Sequence, residues 1–332
     1  MNKAFDDKNN SDDKKVVVIG LGQLGLPVAK YVKEHGFETF GYDINQKTMQ
    51  SAEANYGIKQ ATNFSGFDVL IICVSTHRPD DMFSPQVDGL MSVVEKISRE
   101  AETGALISIE STIPKGTSKR VFEKLDHRLH VVHAPHRWYA LEEEIHGVNQ
   151  LRIVGGVSNC CLQHGLDFYE VRPPRMTIKP LPSSVNLTNE LQGLSSMMGY
   201  KITTTVTEPP INNLSIPMHP VSSAEIAELT KIIENAYRYL QIAFAEELYL
   251  YCQSNNIRFE ELVRSINTKW NVEVLEPRDG IGGHCLPKDT RMFINSSNSI
   301  KSKILQAAME IDEDYREHVQ SREKQEVSLF IK

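Results

Sequence analysis

A glycine-rich turn near the start of the chain constrains the fold more than any other feature of the sequence. Gly20, Gly22 and Gly25 follow the apolar run at 16–19 and lead into a helical pattern at 24–34. Gly20 permits a tight turn, Gly22 lets the backbone approach a pyrophosphate, and Gly25 allows a helix to pack closely on a strand. The helix directs its positive end at the turn. The sequence therefore predicts a strand–turn–helix unit that binds a dinucleotide.

An acidic residue ends the next predicted strand. Asp43 closes the apolar stretch at 37–42, and a carboxylate in that position accepts hydrogen bonds from the ribose hydroxyls of a dinucleotide. Its charge repels a 2′-phosphate, so NAD is the expected cofactor rather than NADP. Together with the turn residues Gln23 and Leu24, the three glycines and Asp43 form the expected cofactor loop.

Apolar strands and helices alternate through the first half of the chain. The runs at 68–74 and 105–109 are typical of strands buried on both faces, and 91–102 has helical spacing between them. This alternation predicts a doubly wound parallel sheet. Short strands at 129–133 and 152–154 would complete it.

The composition divides the chain into four parts. A polar tail at 1–14 is expected to be disordered, and a NAD-binding Rossmann domain is expected over 15–171. Pro, Ser, Thr and Asn are frequent over 172–220, which predicts a loop-rich insertion or connector. A helical central domain, expected to carry catalytic and dimerisation surfaces, follows over 221–332. The expected fold class is therefore α/β, a Rossmann domain followed by a long spine helix and further helices.

One long helix dominates the second half. Residues 222–225 resemble a capping box, and apolar residues continue at spacings of three and four to about Tyr251. A helix of that length is typical of a spine that joins domains or subunits. Shorter helical patterns cover 259–267 and 300–319.

Charge and composition exclude several classes of protein. The formal net charge of −7 repels a polyanion, so no nucleic-acid partner is expected. No apolar run reaches the ~18–20 residues that span a bilayer, so a cytoplasmic protein without membrane contact is expected. The 5 cysteines are an odd number without zinc-like spacing. We therefore expect reduced thiols and no metal site.

A second glycine-rich motif lies at 280–289, with the sequence Gly-Ile-Gly-Gly-His-Cys-Leu-Pro-Lys-Asp. Its glycines let the backbone approach a ligand, and they place Cys285 at the start of a predicted helix, in whose first turn Pro287 is tolerated. A thiol at a helix N-terminus should have a lowered pKa, which a nucleophile requires. A buried cysteine in a turn is the structural alternative that the motif alone leaves open.

Four segments in this order resemble the UDP-glucose/GDP-mannose dehydrogenase family, over most of residues 15–295. They are 20–27, 110–117, 227–238 and 282–289. The resemblance implies oxidation of a sugar C6 alcohol to a carboxylate with two NAD, through a thiohemiacetal and a thioester on a cysteine.

The resemblance also assigns expected catalytic roles. By position, Cys285 resembles the family nucleophile and Asp289 its catalytic aspartate. Lys231 and Asn235 resemble the pair that stabilises the oxyanion, with acid–base roles for Lys231. Their i, i+4 spacing independently puts both on one face of a helix. Thr112 resembles the threonine beside the water and the nicotinamide.

The surroundings of cofactor and substrate follow in the same way. Val74, Ser75 and Thr76 correspond to residues that line the NAD pocket, with Ser111 and Thr112 beside them. The substrate is expected to be a nucleotide sugar or a related sugar phosphate. Its expected contacts are Lys231, Asn235, Gly282 and Gly283, with Lys269 and Arg278 as loop cations for phosphate. A homodimer through the long helix near 223–251 is also expected.

Three departures from the family pattern bear on the reaction. His136 stands where the family has a glutamate that helps thioester hydrolysis, so it is a candidate base near neutral pH or a binding or packing residue. Glu246 and Glu247 replace an Asn-Glu pair in the long helix. The stretch after Cys285 is too short for the family's third domain, so a short form without the C-terminal UDP-binding domain, and a weak nucleobase preference, are expected.

The sequence thus predicts an NAD-dependent nucleotide-sugar dehydrogenase and leaves two alternatives. One is a sugar-nucleotide epimerase or other internal redox enzyme without net NADH, which loss of the family glutamate favours and retention of Cys285 opposes. The other is a non-catalytic, regulatory protein that binds NAD or a nucleotide sugar. Net NADH formation distinguishes the first two, and product formation distinguishes both from the third.

Overall fold

The computed structural model describes residues 14–77, 80–81, 84–137, 147–170, 177–180, 200–203, 213–296 and 301–330. All but one residue of the expected tail at 1–14, and most of the predicted connector at 172–220, therefore lie outside the described residues.

An eight-stranded sheet forms the first half of the chain, with the strand order β10-β7-β6-β5-β4-β1-β2-β3. Its strands are β1 (Lys15–Ile19), β2 (Glu38–Tyr42), β3 (Lys59–Gln60), β4 (Val69–Ile72), β5 (Leu106–Ile109), β6 (His130–His133), β7 (Arg152–Gly156) and β10 (Met218–Val221). The six strands from β1 to β6 pair in parallel. Two further strands, β8 (Thr177–Pro180) and β9 (Tyr200–Thr203), form a separate antiparallel pair.

Alternate residues of the central strands enter two different cores. Val16 and Val18 of β1 pack in one hydrophobic cluster, whereas Val17 and Ile19 pack in the other. A sheet covered on both faces needs such continuous apolar strands, because neither face meets water. The expected doubly wound α/β fold is confirmed.

Two strands at one edge of the sheet differ from the expectation of an all-parallel sheet. β7 runs antiparallel to β6, and β10 pairs in parallel with β7. β10 overlaps the end of the stretch predicted as a loop-rich connector at 172–220, so short strands occupy 218–220 there, as they do at 177–180 and 200–203. A four-residue edge strand that contains Pro220 carries almost no periodic signal, and proline is tolerated only at such edges.

Nine helices occur in the described part of the chain. They are α1 (Gly25–Glu34), α2 (Gln46–Tyr56), α3 (Asp88–Glu100), α4 (Thr117–Lys124), α5 (Asn159–Tyr169), α6 (Ala224–Ser254), α7 (Phe259–Ile266), α8 (Cys285–Ile294) and α9 (Lys303–Phe330). The long helix α6 has 31 residues and starts at the cap Ser223, whose hydroxyl accepts from Ile226 N–H. Helices α8 and α9 pack against it. Across the described ranges, no helix is both long and apolar enough to cross a membrane.

A buried carboxylate of α6 joins the helical half to the sheet half. Glu228 Oε2 accepts from Gly116 N–H at 2.6 Å, and Glu228 Oε1 accepts from Ser118 N–H at 2.7 Å. Both amides belong to the start of α4, where a helix has free donors and a positive end. Glu228 is 1% exposed, so this bidentate cap fixes the long helix on the Rossmann domain.

Candidate active site

The glycine-rich turn has the shape that a bound pyrophosphate requires. Gly20 has a φ of +88°, and a Cβ there would lie 2.6 Å from the Cys73 carbonyl oxygen. A Cβ on Gly25 would lie 1.7 Å from the Gly20 carbonyl oxygen, so only glycine fits. A Cβ on Gly22 would meet no protein atom within 4 Å, which leaves that space for a ligand. Leu24 provides no side-chain cap, so α1 offers its N–H groups to an anion.

Asp43 is held in a fixed position beside this turn. Its Oδ2 accepts from Leu21 N–H and its Oδ1 from Asn45 N–H, both at 2.8 Å. Each oxygen keeps lone-pair capacity for a ribose hydroxyl. The following side chain, Ile44, is 91% exposed, and sequence reasoning did not select it. An apolar side chain left in water next to a ribose site is suited to cover an adenine ring.

The carboxyl ends of β4 and β5 bring the other predicted cofactor residues together. Ser111 Oγ donates to the Val74 carbonyl at 2.7 Å, and Thr76 Oγ1 donates to the Thr112 carbonyl at 2.7 Å. Ser75 is exposed beside them. In parallel sheets, ligands bind at this edge. These hydrogen bonds join the two strand ends to each other beside the glycine-rich turn.

Cys285 is the first residue of α8, at the surface of the helical half. Its Sγ lies 3.6 Å from His284 Nε2. Desolvation and the charge of Asp289 raise the pKa of the Cys285 thiol, while Lys288 and Lys231 act in the opposite direction. The expected lowered pKa is therefore wrong for this arrangement, because the nearby carboxylate and the loss of water oppose thiolate formation.

Lys231, Asn235 and Asp289 meet where α6 packs on α8. Asn235 Nδ2 donates to Asp289 Oδ2 at 2.5 Å, and Lys288 Nζ lies 3.1 Å from Asp289 Oδ1. Burial lowers the pKa of Lys231, although the charges of Asp289, Glu234 and Cys285 partly restore it. A lysine with a lowered pKa exchanges a proton more readily near neutral pH. The structure thus gathers residues that the sequence separates by more than fifty positions.

The loop before Cys285 is positioned by α9. Asp312 Oδ1 accepts from Ile281 N–H at 2.8 Å, and Arg316 Nη2 donates to the Ile281 carbonyl at 2.6 Å. Gly282 and Gly283 are exposed, with open space where a Cβ would lie. A ligand can therefore approach the backbone beside Cys285.

The two loop cations are the part of the prediction that the geometry supports least. Lys269 and Arg278 are both exposed, and neither forms a hydrogen bond or an ion pair with Cys285 within the described part of the chain. Their role in phosphate binding stays a prediction. Lys288 is a better-placed cation: it is 4% exposed and donates to Thr76 Oγ1 at 3.1 Å.

His136 lies in a buried polar cluster with Glu110, Arg152 and Tyr169. His136 Nε2 contacts Glu110 Oε2, and the Tyr169 hydroxyl donates to Glu110 Oε1. Arg152 Nη1 lies 3.3 Å from Glu110 Oε1. Burial by itself raises the pKa of Glu110, but the charges of His136 and Arg152 outweigh this effect and lower the pKa to about 2. Glu110 is therefore an anion at neutral pH.

The protonation state of His136 follows from this cluster. Burial and the charge of Arg152 lower its pKa to about 4, although Glu110 acts in the opposite direction. A neutral ring facing an anion carries its proton on Nε2 and donates it to Glu110. Its Nδ1 is buried and has no hydrogen-bond partner among the described residues, so its lone pair is available to a proton. Lys231 contributes to the lowered pKa of His136, which relates this cluster to the lysine beside Cys285.

Sequence reasoning missed most of this cluster. Glu110 stands at the head of a matched segment, and Arg152 opens the otherwise apolar strand β7, so a charge in a buried strand was the available signal. Glu234 of α6 pairs with Arg137 from the loop after β6. Arg137 follows His136 directly, and its pairing holds that loop on α6.

Comparisons with known proteins relate this chain to one family of dehydrogenases. Two models of the UDP-glucose/GDP-mannose dehydrogenase family match, the NAD-binding domain at residues 52–171 and the central domain at residues 225–314. UDP-N-acetyl-D-mannosamine dehydrogenases of Methanococcus maripaludis and Methanocaldococcus jannaschii are 26% and 28% identical to this chain. The alignments cover 93% and 92% of this chain, and 67% of each relative.

A solved structure of a related enzyme has a similar fold. The UDP-N-acetyl-mannosamine dehydrogenase from Staphylococcus aureus has a TM-score of 0.66 and 25% identity, covering 94% of this chain and 70% of that one. The relatives are named as dehydrogenases, which favours the dehydrogenase over the epimerase and the non-catalytic alternatives.

Proposed function

The chain belongs to the UDP-glucose/GDP-mannose dehydrogenase family, and on that basis we propose that it oxidises the C6 alcohol of UDP-N-acetyl-D-mannosamine to a carboxylate. The cofactor is NAD, for which the glycine-rich turn and Asp43 provide the site. The overall reaction consumes one alcohol, one water and two NAD⁺, and releases one carboxylate, two NADH and three protons. When bound, NAD accepts one hydride in each of the two oxidations.

In this proposal the residues around α8 handle the sugar carbon. Lys231 takes the proton of the C6 hydroxyl as the aldehyde forms. The exposed Cys285 thiol then loses its proton to water and its sulfur adds to the aldehyde carbon. The resulting oxyanion receives hydrogen bonds from Lys231 and from Asn235. Asp289 accepts from the Asn235 amide and so orients it. Oxidation of this thiohemiacetal leaves a thioester on Cys285.

His136 provides the base for the last step. Its Nδ1 takes a proton from water as the water oxygen attacks the thioester carbon, and the Cys285 thiolate leaves as the carboxylic acid forms. Glu110 stabilises the proton on Nε2 and the charge that develops on the ring, as a carboxylate does behind a catalytic histidine. Thr112, whose carbonyl accepts from Thr76, is at the edge where this water would stand.

The observation that carries the proposal is the position of Lys231. Its pKa responds to Asp289 and Cys285, and it lowers the pKa of His136 on the other side. The candidate nucleophile, Asp289 and the candidate base therefore all interact electrostatically with Lys231.

The proposal is tested by incubating the chain with NAD⁺ and UDP-N-acetyl-D-mannosamine. We expect two NADH per sugar consumed, and a uronate by mass spectrometry. UDP-glucose and UDP-N-acetyl-D-glucosamine serve as substrate controls, and Cys285→Ser should form no uronate. An epimer without NADH, or no turnover of any of the three sugars, would contradict the proposal.

A homodimer through α6 belongs to the same proposal. Five large apolar side chains of this helix are 42–60% exposed and recur at spacings of seven and four: Ile226, Ile233, Tyr237, Phe244 and Tyr251. Such a stripe is the repeat by which helices pair, and a second copy of α6 would cover it. Sedimentation should give a dimer that Phe244→Glu converts to a monomer, whereas Gln253→Glu, off the stripe, should not. A monomeric parent chain would contradict this assembly.

A further inference from the structure

A second cluster of ligating side chains lies away from the active site. His130 is the first residue of β6, and Cys160 and His164 lie on the first two turns of α5. One ligand atom from each of the three lies within 4.8 Å of the other two. His130 starts β6, and His136 follows the carboxyl end of the same strand. His130 is therefore at the amino ends of the parallel strands, away from Cys285 and the cofactor loop.

The distances fit a tetrahedral metal. His130 Nδ1 lies 3.4 Å from Cys160 Sγ. Nitrogen and sulfur ligands about 2.0 and 2.3 Å from a tetrahedral Zn²⁺ are separated by roughly 3.5 Å. Cys160 and His164 are related by i, i+4, which puts them on one face of α5. His130 Nδ1 and Cys160 Sγ therefore already have the separation of two ligands of one ion.

The second histidine is already oriented. His164 Nδ1 lies 2.9 Å from the Cys160 carbonyl oxygen, to which it donates, so its Nε2 carries the free lone pair. Histidine ligands usually donate their other ring N–H to a carbonyl or carboxylate in this way. The rings of His130 and His164 stack with centroids 3.5 Å apart and an angle of 15° between their planes, so the His130 ring must turn about its Cβ–Cγ bond before both in-plane lone pairs point at one ion.

The donor types select the ion. One thiolate and two imidazoles suit Zn²⁺, whereas Mg²⁺ and Ca²⁺ require oxygen ligands that these side chains do not have. We propose that His130, Cys160 and His164 bind a Zn²⁺ ion that joins β6 to α5, with water in the fourth position. The spacing of the cysteines alone predicts no metal site, because His130 comes from a different element.

A neighbouring thiol provides a matched control. Cys161 follows Cys160 and is 1% exposed. Its Sγ lies 3.9 Å from His130 Nδ1, but 3.1 Å from Ser158 Oγ, which donates to it. It is not one of the three clustered ligands, so Cys161→Ser should leave the metal site intact.

The site is tested on the full chain after chelation, in a Cys285→Ser background that removes the other exposed thiol. Titration with Zn²⁺ should show one ion per chain and a rise in melting temperature. Co²⁺ should give a thiolate-to-cobalt charge-transfer band and the strong visible bands of tetrahedral coordination. Cys160→Ser should abolish the charge-transfer band, and His164→Ala should weaken Zn²⁺ binding at least tenfold. Cys161→Ser should behave as its parent.

Three results would overturn the assignment. One is the absence of Zn²⁺ binding at micromolar concentration, and another is unchanged binding in Cys160→Ser and His164→Ala. The third is a Cys161→Ser variant that loses the charge-transfer band while Cys160→Ser keeps it. NAD binding by every variant serves as the folding control, and none of these results depends on the proposed sugar oxidation.

Discussion

Lys288 of α8 donates a hydrogen bond to Thr76 Oγ1 at 3.1 Å, and Thr76 in turn donates to the Thr112 carbonyl at 2.7 Å. This chain of bonds runs from the helix that carries Cys285 to the two strand ends that line the cofactor site. It couples the position of Cys285 to the strand ends that line the candidate cofactor site.

Removing the hydroxyl of Thr76 should weaken this coupling. Thr76→Val keeps the shape but leaves the buried ammonium of Lys288 without that partner, which should destabilise the chain by about 1–3 kcal/mol. We also expect a higher KM for NAD and a lower kcat. Chemical denaturation and steady-state kinetics measure both. Thr230→Val, which removes a hydroxyl bonded only within α6, is the control, and equal effects in the two variants would contradict the coupling.

Asp43 should set the preference for NAD over NADP. Asp43→Asn removes the charge that we expect to bind the ribose hydroxyls and to repel a 2′-phosphate. A hydrogen bond to a charged group is worth roughly 1.5–3 kcal/mol, so NAD affinity should fall about ten- to a hundredfold and NADP discrimination should shrink. Fluorescence titration with both cofactors measures this. Asp68→Asn, which also removes a charged acceptor of a backbone amide, should not change the ratio.

The reactivity of Cys285 should depend on Asp289. Desolvation and this carboxylate raise the thiol pKa, so the rate of iodoacetamide labelling should still be rising above neutral pH. Asp289→Asn removes the negative charge, so the labelling profile should move to lower pH. The measurement uses a Cys160→Ser background, because Cys160 is the other exposed thiol. A profile that stays in place, or moves to higher pH, is inconsistent with the described site.

His136 should act after both hydrides have been transferred from the sugar carbon to NAD. His136→Gln retains an N–H donor for Glu110 but has no basic nitrogen, so thioester hydrolysis should slow about 10²–10⁴-fold. Rapid mixing should then show a burst of two NADH per site, and mass spectrometry should find the acyl adduct on Cys285. Unchanged turnover would mean that His136 is a packing residue.

The pH profile of the parent enzyme tests the same assignment. Because burial lowers the pKa of His136 to about 4, the base stays neutral well below pH 6.5. Hydrolysis should therefore lose its rate only as pH approaches the lowered pKa, and not near the ordinary imidazole value as the sequence suggested. An acid limb centred near 6.5 that disappears in His136→Gln would contradict the buried pair.

Glu246 should make stability depend on pH. It is fully buried without a hydrogen-bond partner among the described residues, and burial, followed by the charge of Asp312, raises its pKa from 4.5 to about 8. Between these values the folded chain keeps a proton that the unfolded chain loses, so stability should fall as pH rises from about 4.5 to 8. Glu246→Gln should flatten this slope in urea denaturation. Glu247→Gln, at an exposed position, should leave it unchanged.

The sequence alone determined the Rossmann half and the chemistry of its turn. Gly20, Gly22 and Gly25 act through local backbone geometry, and the apolar strands act through burial on both faces. Both signals can therefore be recognised from short stretches of consecutive residues. The i, i+4 relation of Lys231 and Asn235 is likewise local, because a helix face follows from spacing alone.

Only the tertiary structure decided what those residues meet. Glu110, His136 and Arg152 come from three segments, and their pKa values depend on burial and on one another, which no spacing encodes. The raised pKa of Cys285 has the same origin, since Asp289 and the surrounding protein outweigh the lysines. The edge strand β10 and the contact of His130 with α5 also required the packed chain. Charge interactions across a sheet edge depend on distance in space, and the order of residues does not specify that distance.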